Sequence, residues 1–187
     1  PNIDVYDQHA RFVGERTIST GDGDQKKIIS ADQIIIAAGA RPHILPVIEQ
    51  SGVPYYTNEN VLRLPQLPQT MIILGGGFIA VEFAHIFSAL GVDVTVVNRS
   101  PRLLKHLDEQ VSDRFTELAS ERWTTRLGYE VAAAEENPNG SVTITLDNGE
   151  KLTADVLVSA TGRTPNGDLM DLDKGGVEMD GQRIKVD

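Results

Sequence analysis

The sequence predicts an α/β fold with a central parallel sheet, and three observations predict it. Residues 71–74 form a short apolar run that reads as a buried strand, and it leads straight into Gly75-Gly76-Gly77. Residues 78–90 then read as a helix, with Gly91 where a left-handed helix stop is expected. Val92-Asp93-Val94-Thr95-Val96-Val97 is the next strand. Together these make a βαβ unit of about 30 residues, the length a parallel crossover requires.

Taken in order, the chain begins differently. Asp4-Val5-Tyr6 and Ala10-Arg11-Phe12-Val13 are short strand candidates, followed by Thr17-Ile18-Ser19-Thr20 and Lys27-Ile28-Ile29. Gly21-Asp22-Gly23-Asp24 supplies a turn, so this stretch reads as a small antiparallel meander. It has little apolar surface of its own and is expected to belong to a neighbouring domain. Ile34-Ile35-Ile36-Ala37-Ala38-Gly39 and Val156-Leu157-Val158-Ser159-Ala160-Thr161-Gly162 both read as strands buried on two faces, each ending in a glycine stop. Arg41-Pro42 and Arg163-Thr164-Pro165 mark their exits.

Between those strands, residues 43–69 are rich in proline and polar residues, with one short helix expected around 59–64. A second longer helix is expected over 108–122, with Val111, Phe115 and Leu118 on one face. Residues 123–127 would be a third parallel strand. Residues 130–135, 141–146 and 151–153 read as antiparallel strands, with Asp147-Asn148-Gly149 turning the last pair. Residues 156–160 return to the sheet. The expected organisation is a partial segment over 1–42, a complete domain over 43–162 and a return to the first domain over 163–187.

Composition narrows the function. Of 187 residues, 40% are hydrophobic and 24% charged, which is ordinary for a globular protein. No apolar run approaches the roughly 20 residues that cross a bilayer, and the start is no signal peptide. Opening on Pro1 without an initiator methionine, the chain reads as an excised piece of a longer one. A net charge of −10 argues against nucleic acid or an anionic membrane as partner, so an anionic ligand needs local cations. The absence of cysteine excludes disulfides and cysteine-ligated zinc here, and is compatible with the cytoplasm. His9, His43, His85 and His106 lack metal-ligand spacing, so no metal site is expected.

The chemistry gathers at G-x-G-x-x-A, present as Gly75, Gly77 and Ala80. Gly75 permits the tight turn out of the strand, and Gly77 leaves room for a pyrophosphate beside the backbone. Ala80 lets the helix pack closely on the sheet. The first helical N–H groups, at Phe78 and Ile79, then face the phosphates, and the helix dipole adds favourable potential. With a strand before it, a helix after it and a second strand at the right distance, the string is a dinucleotide loop in its required context. About 20 residues on, where a carboxylate would bind a ribose 2′-hydroxyl, stands Asn98, followed by Arg99, Arg102 and Lys105. These cations would attract a 2′-phosphate, so NADPH is favoured over NADH. Glu82 and Phe78 lie on the same helix, and pattern alone gives neither a catalytic role.

These residues resemble the FAD-dependent pyridine nucleotide disulfide oxidoreductases. The likeness covers essentially the whole chain: Ile36-Ala37-Ala38-Gly39-Ala40-Arg41-Pro42, the loop and helix from Gly75 onward, and Ala160-Thr161-Gly162-Arg163-Thr164-Pro165-Asn166. Their order and spacing are more specific than any one motif. The resemblance implies a Rossmann-like FAD/NAD(P)-binding fold, with β-strand remnants of an FAD domain on either side of an NADPH domain. It implies a parent that passes a hydride from NADPH to FAD, then electrons to a cysteine pair and a low-molecular-weight thiol disulfide. It places Phe78 as an aromatic gate over the flavin and Glu82 beside nicotinamide and flavin. By the same resemblance Arg99 and Lys105 hold the 2′-phosphate and Val131 lines the adenine side. Ala38, Gly39 and Gly162, at the crossings, join the cofactor-binding positions. The resemblance also implies a homodimeric parent. Its cysteine pair, catalytic histidine and dimer-forming domain are not in this chain, so the fragment is expected to bind nucleotide without turnover. Two alternatives stay open: a flavoprotein of this architecture without a redox disulfide, and a stand-alone nucleotide-binding module.

Overall fold

The computed structural model describes residues 2–186, so Pro1 and Asp187 lie outside the described residues. The chain divides into two compact units, one of residues 1–41 and 163–187 and one of residues 42–162.

In the first unit, β1 (Ala10–Gly14), β2 (Thr17–Thr20) and β3 (Lys27–Ser30) form the expected antiparallel meander, with a bulge in β1 between Phe12 and Gly14. Asp4-Val5-Tyr6, expected as a strand, is not one. Nor does residues 34–38 form a strand; Ile35 is 92% exposed, and only β4 (Ala40–Pro42) is regular. A strand buried on both faces needs ladder partners on both sides, and among the described residues none runs beside this run.

The second unit holds the parallel sheet. Helix α1 (Pro46–Ser51) opens on a proline at its first turn and stops at Gly52, whose φ of 71° is left-handed. This helix was not expected; the region expected as helical near 59–64 supplies only a 3-10 turn, Val61–Arg63. Strand β5 (Thr70–Leu74), helix α2 (Phe78–Ala89) and strand β6 (Asp93–Asn98) complete the βαβ unit, with Gly91 at φ 90° just past the helix. Helix α3 (Glu109–Ser120) starts at Asp108, whose carboxylate caps the Gln110 N–H. Then follow β7 (Thr124–Leu127), β8 (Val131–Glu136), β9 (Val142–Leu146), β10 (Lys151–Ala154) and β11 (Val156–Ser159). The parallel order is β11-β5-β6-β7, and β8 to β10 form a separate antiparallel sheet. The α/β fold with a parallel sheet and an antiparallel three-stranded meander is therefore as the sequence predicts.

Period-2 alternation splits the core into two layers. Met71 and Ile73 of β5, with Val94 and Val96 of β6, pack with Ala80, Phe83, Ala84 and Phe87 of α2. Ile72 and Leu74 face the other way, toward Ile48 of α1 and Val142, Ile144 and Leu146 of β9. Burying each large side chain contributes about 1.5–3 kcal/mol before entropy is counted. Trp123, 7% exposed, lies edge-on to Phe115 and donates from Nε1 to Ser88 Oγ at 3.0 Å.

The buried face of α3 is one residue out of phase with the expectation. Val111 is 52% and Leu118 42% exposed, whereas Ser112 and Ala119 are buried and Phe115 is half-buried. Hydroxyls decide the phase: Ser112 Oγ donates to Leu104 O at 2.7 Å, and Thr116 Oγ1 accepts from Leu103 N at 3.0 Å. Satisfied polar groups can face inward where an apolar count would not place them.

Asp155 pins the start of β5. Its carboxylate accepts from the N–H groups of Gln69 and Thr70 at 3.0 Å each, while its own N–H donates to Thr70 Oγ1. The Thr70 N–H is the main reason its carboxyl titrates below the usual 3.8. Because the folded form holds the lower pKa, this stabilisation is present above 3.8 and is lost as pH falls through the folded value. Asp155→Ala is expected to cost about 1 kcal/mol at neutral pH, modest because the group is exposed. Thermal melts should show the gap from wild type closing toward pH 3.

The chain returns to the first unit through β12 (Arg163–Pro165), which pairs β4, and ends in β13 (Met179–Asp180) with β14 (Arg183–Ile184). Arg41 binds Asp168 in two-pronged fashion at 2.9 and 2.7 Å and also reaches Asn166 at 3.1 Å. Among the described residues, Phe12 and Leu172 are this unit's buried large apolar side chains, and Gly175 gives Phe12 its space, since a Cβ there would meet the ring at 2.3 Å. No helix among the described residues is long and apolar enough to cross a membrane.

Candidate dinucleotide-binding site

A cleft of about 810 Å³ opens in the second unit, at the carboxyl ends of β5, β6 and β11. Such volume is in the range of small-molecule sites, and strand ends of an open parallel sheet are where ligands bind. Gly75, Gly76, Gly77, Phe78 and Ile79 line it, joined by Asn98, Arg99, Lys105, Val131 and Gly162.

Each glycine of the loop has its own reason. Gly75 sits at φ 122°, and a Cβ there would come within 2.3 Å of the Ala160 carbonyl oxygen. Gly76 packs against the Asn98 side-chain amide, which a Cβ would meet at 2.5 Å. Gly77 has ordinary φ of −87°, but a Cβ there would point into open space. No side chain caps α2, so the N–H groups of Phe78, Ile79 and Ala80 are left pointing out of its start. They are the ready-made anion site of a helix N-terminus.

The cations at the other end separate into two kinds. Arg99 and Lys105 line the cleft and have no carboxylate partner among the described residues. Arg102, expected beside them, does not line it. Its guanidinium reaches Glu109 at 2.6 Å and Asp113 at 2.8 Å instead, because α3 brings two carboxylates to that side. Asn98 also differs from a ribose ligand in waiting, since its Nδ2 donates to Ser100 O and Arg102 O, both at 3.1 Å.

Other expected positions are not at the cleft. Ala80 is fully buried in the layer between α2 and the sheet, the packing role its size suits. Glu82 is exposed on α2, one turn after Phe78, which is 58% exposed. Ala38 and Gly39 belong to the first unit, where their carbonyls accept from Asn166 at 3.0 and 3.1 Å.

Several lining residues were not anticipated. Tyr129 reaches the cleft because the N–H groups of Gly128 and Tyr129 donate to Asn98 O at 2.8 and 3.3 Å. Gly128, at φ 84° just past β7, was the available signal. His43 and Thr161 line it too, tied by a 2.7 Å bond from Thr161 Oγ1 to His43 O and a 3.0 Å bond from His43 N to Gly162 O. Leu45 and Val47 add apolar wall from the segment around α1.

The family model described as pyridine nucleotide-disulphide oxidoreductase matches residues 2–187. The chain is 44% identical over 192 residues to a mycothione reductase of Mycobacterium tuberculosis, covering 100% of this chain and 41% of that protein. It is 35% identical over 189 residues to a soluble pyridine nucleotide transhydrogenase of Pseudomonas aeruginosa, covering 99% of this chain and 40% of the relative. Among solved structures, the Cu(II) complex of the HOCl-induced flavoprotein disulfide reductase RclA from Escherichia coli aligns with a TM-score of 0.86 at 26% identity, over 100% of this chain and 42% of that one. The chain spans about two-fifths of the length of the curated relatives it matches. On a match that runs from residue 2 to residue 187, the chain belongs to the pyridine nucleotide-disulphide oxidoreductase family.

Proposed function

We propose that the cleft binds NADPH and that the chain is the nucleotide-binding central portion of a flavoprotein disulfide reductase. One observation carries the reading: an uncapped helix start and two cations without a carboxylate partner among the described residues, Arg99 and Lys105, line one cleft of an acidic chain. The group fits, because Gly77 leaves the space a pyrophosphate needs and the N–H groups of Phe78, Ile79 and Ala80 point there. Gly75 keeps the loop closed against β11, Arg99 and Lys105 take the 2′-phosphate, and Val131 lies on the adenine side. Phe78 and Glu82 are proposed to face the nicotinamide and flavin, with Ala38, Gly39 and Gly162 as further cofactor positions.

When bound, the dihydronicotinamide and the flavin supply hydride and electron transfer toward a cysteine pair. In this reading FAD is held chiefly by parts of the parent beyond this chain. The terminal acceptor is a low-molecular-weight thiol disulfide, and mycothione, named in the Mycobacterium relative, is the proposed one. The parent is proposed to be a cytoplasmic homodimer, and the chain by itself to bind nucleotide without turnover. A second reading, a flavoprotein exchanging hydride between pyridine nucleotides without a redox disulfide, is favoured by the transhydrogenase relative. A Cys-x-x-x-x-Cys upstream in the parent would decide between them.

Calorimetry on the chain tests the cofactor. NADPH is expected to bind at least about tenfold tighter than NADH, since charge-assisted hydrogen bonds to the 2′-phosphate are worth roughly 1.5–3 kcal/mol each. Equal affinities, or a preference for NADH, would overturn the reading.

A further inference from the structure

Arg99 and Lys105 sit on one loop, and that loop is tied by Asn98, which lines the cleft, and by Ser112, which does not. At its start, Asn98 Nδ2 donates to Ser100 O and Arg102 O, and the same amide packs on Gly76. At its end, Leu104 adopts φ 52°, a left-handed conformation that leucine takes only when held there. What holds it is a bond at each side of the residue. Leu104 N donates to Gly76 O at 2.7 Å, and Leu104 O accepts from Ser112 Oγ at 2.7 Å. Ser112 is 1% exposed on α3 and does not line the cleft. Thr116 reinforces the tie, accepting from Leu103 N at 3.0 Å and donating to Ser112 O at 2.7 Å.

Gly76 is thus the meeting point of both ties, and Gly76 lies in the glycine loop. The cations for the 2′-phosphate are thereby held in register with the helix start that takes the pyrophosphate.

We propose that Asn98 and Ser112 are positioning residues for nucleotide discrimination, which set the preference for a 2′-phosphate by fixing the loop that carries Arg99 and Lys105. The inference rests on the NADPH reading above and deepens it. Asn98 then acts as a clamp, with both amide hydrogens engaged, rather than as a direct reader of the ribose. Ser112 sets specificity from the far side of the loop.

The test compares wild type with Asn98→Ala, Ser112→Ala and the double variant, titrated with 2′,5′-ADP and with 5′-ADP. Each single variant is expected to weaken 2′,5′-ADP about five- to tenfold and 5′-ADP less than about twofold, because misplacing a charged contact costs affinity only where that contact is made. The double variant is expected to lose little more than the worse single one, since both ties act on one loop. Hydrogen exchange should quicken at the amides of residues 99, 100 and 102–105 and not in α2. An equal loss for both nucleotides, or unchanged exchange in the loop, overturns the inference by showing a merely structural role. Should buried Ser112→Ala fail to fold, half-buried Asn98→Ala carries the same comparison. Equal wild-type affinities for the two ligands would sink the cofactor reading and this inference together; a wild-type preference that the variants keep would sink this inference alone.

Discussion

Gly75→Ala is expected to unfold or nearly unfold the second unit and to abolish nucleotide binding with it. The added methyl would approach Ala160 O to 2.3 Å, Ala160 C to 2.8 Å and Thr161 N to 3.3 Å, all of them backbone atoms. No side-chain rotation relieves such a clash, and φ of 122° is itself a conformation for glycine alone. The strain of that backbone costs of order 1–3 kcal/mol before the overlap is added. Nor can the strands move apart freely, because Gly75 N donates to Val97 O and Ala160 N to Leu74 O, each at 2.8 Å. Relief therefore breaks the sheet where β5, β6 and β11 converge. Gly77→Ala makes the contrast. Its Cβ meets nothing, so the fold should melt as wild type while nucleotide binding weakens about tenfold or more, the methyl occupying the pyrophosphate's approach. A Gly75→Ala protein melting within about 2 °C of wild type would contradict the argument.

The second large effect is expected at Arg99. Arg99→Glu replaces a cation at the cleft with a carboxylate, so in the proposed NADPH complex the 2′-phosphate would meet repulsion in place of attraction. NADPH affinity should fall about a hundredfold, and NADH affinity, without that phosphate, less than about threefold. The NADPH loss should shrink as salt is raised, because the position is exposed and exposed charges are screened. Titrations of both nucleotides at two ionic strengths read all of this. A fall of equal size for both would show that Arg99 supports the loop and does not read the phosphate.

What the sequence made legible was local. The β5–loop–α2–β6 unit shows in sequence because each part carries its own signal: an apolar run, a glycine string, a helix with a glycine stop. The meander of β1 to β3 shows through its turn residues. What was hidden depended on partners distant along the chain. Residues 34–38 are apolar enough for a central strand, yet a strand is defined by neighbours, and none lies beside it among the described residues. Helix α1 carries a proline start and a glycine stop, but the whole helix is only six residues long, too short for a periodic pattern. In α3 the apolar count favoured Val111 and Leu118, and it could not foresee that hydroxyls at Ser112 and Thr116 would find backbone partners in the preceding loop.

The candidate site follows the same rule. Counting cations after β6 groups Arg102 with Arg99 and Lys105 but says nothing of their directions, and Glu109 and Asp113 draw Arg102 away from the cleft. Tyr129, His43 and Thr161 come to the cleft from three separate chain segments, and no short motif announces such a meeting.

The setting of Trp123 gives the molecule a built-in optical label. It is the single tryptophan of 187 residues, it lies in the second unit, and its indole is sheltered between Ser88 and Phe115. Selective indole emission therefore reports that unit and is silent about the first. Emission and far-ultraviolet circular dichroism, followed through the same denaturant series, would sample different parts of the chain. Coincident curves would mean that the two units come apart as one cooperative body, and separated curves that each keeps its own stability.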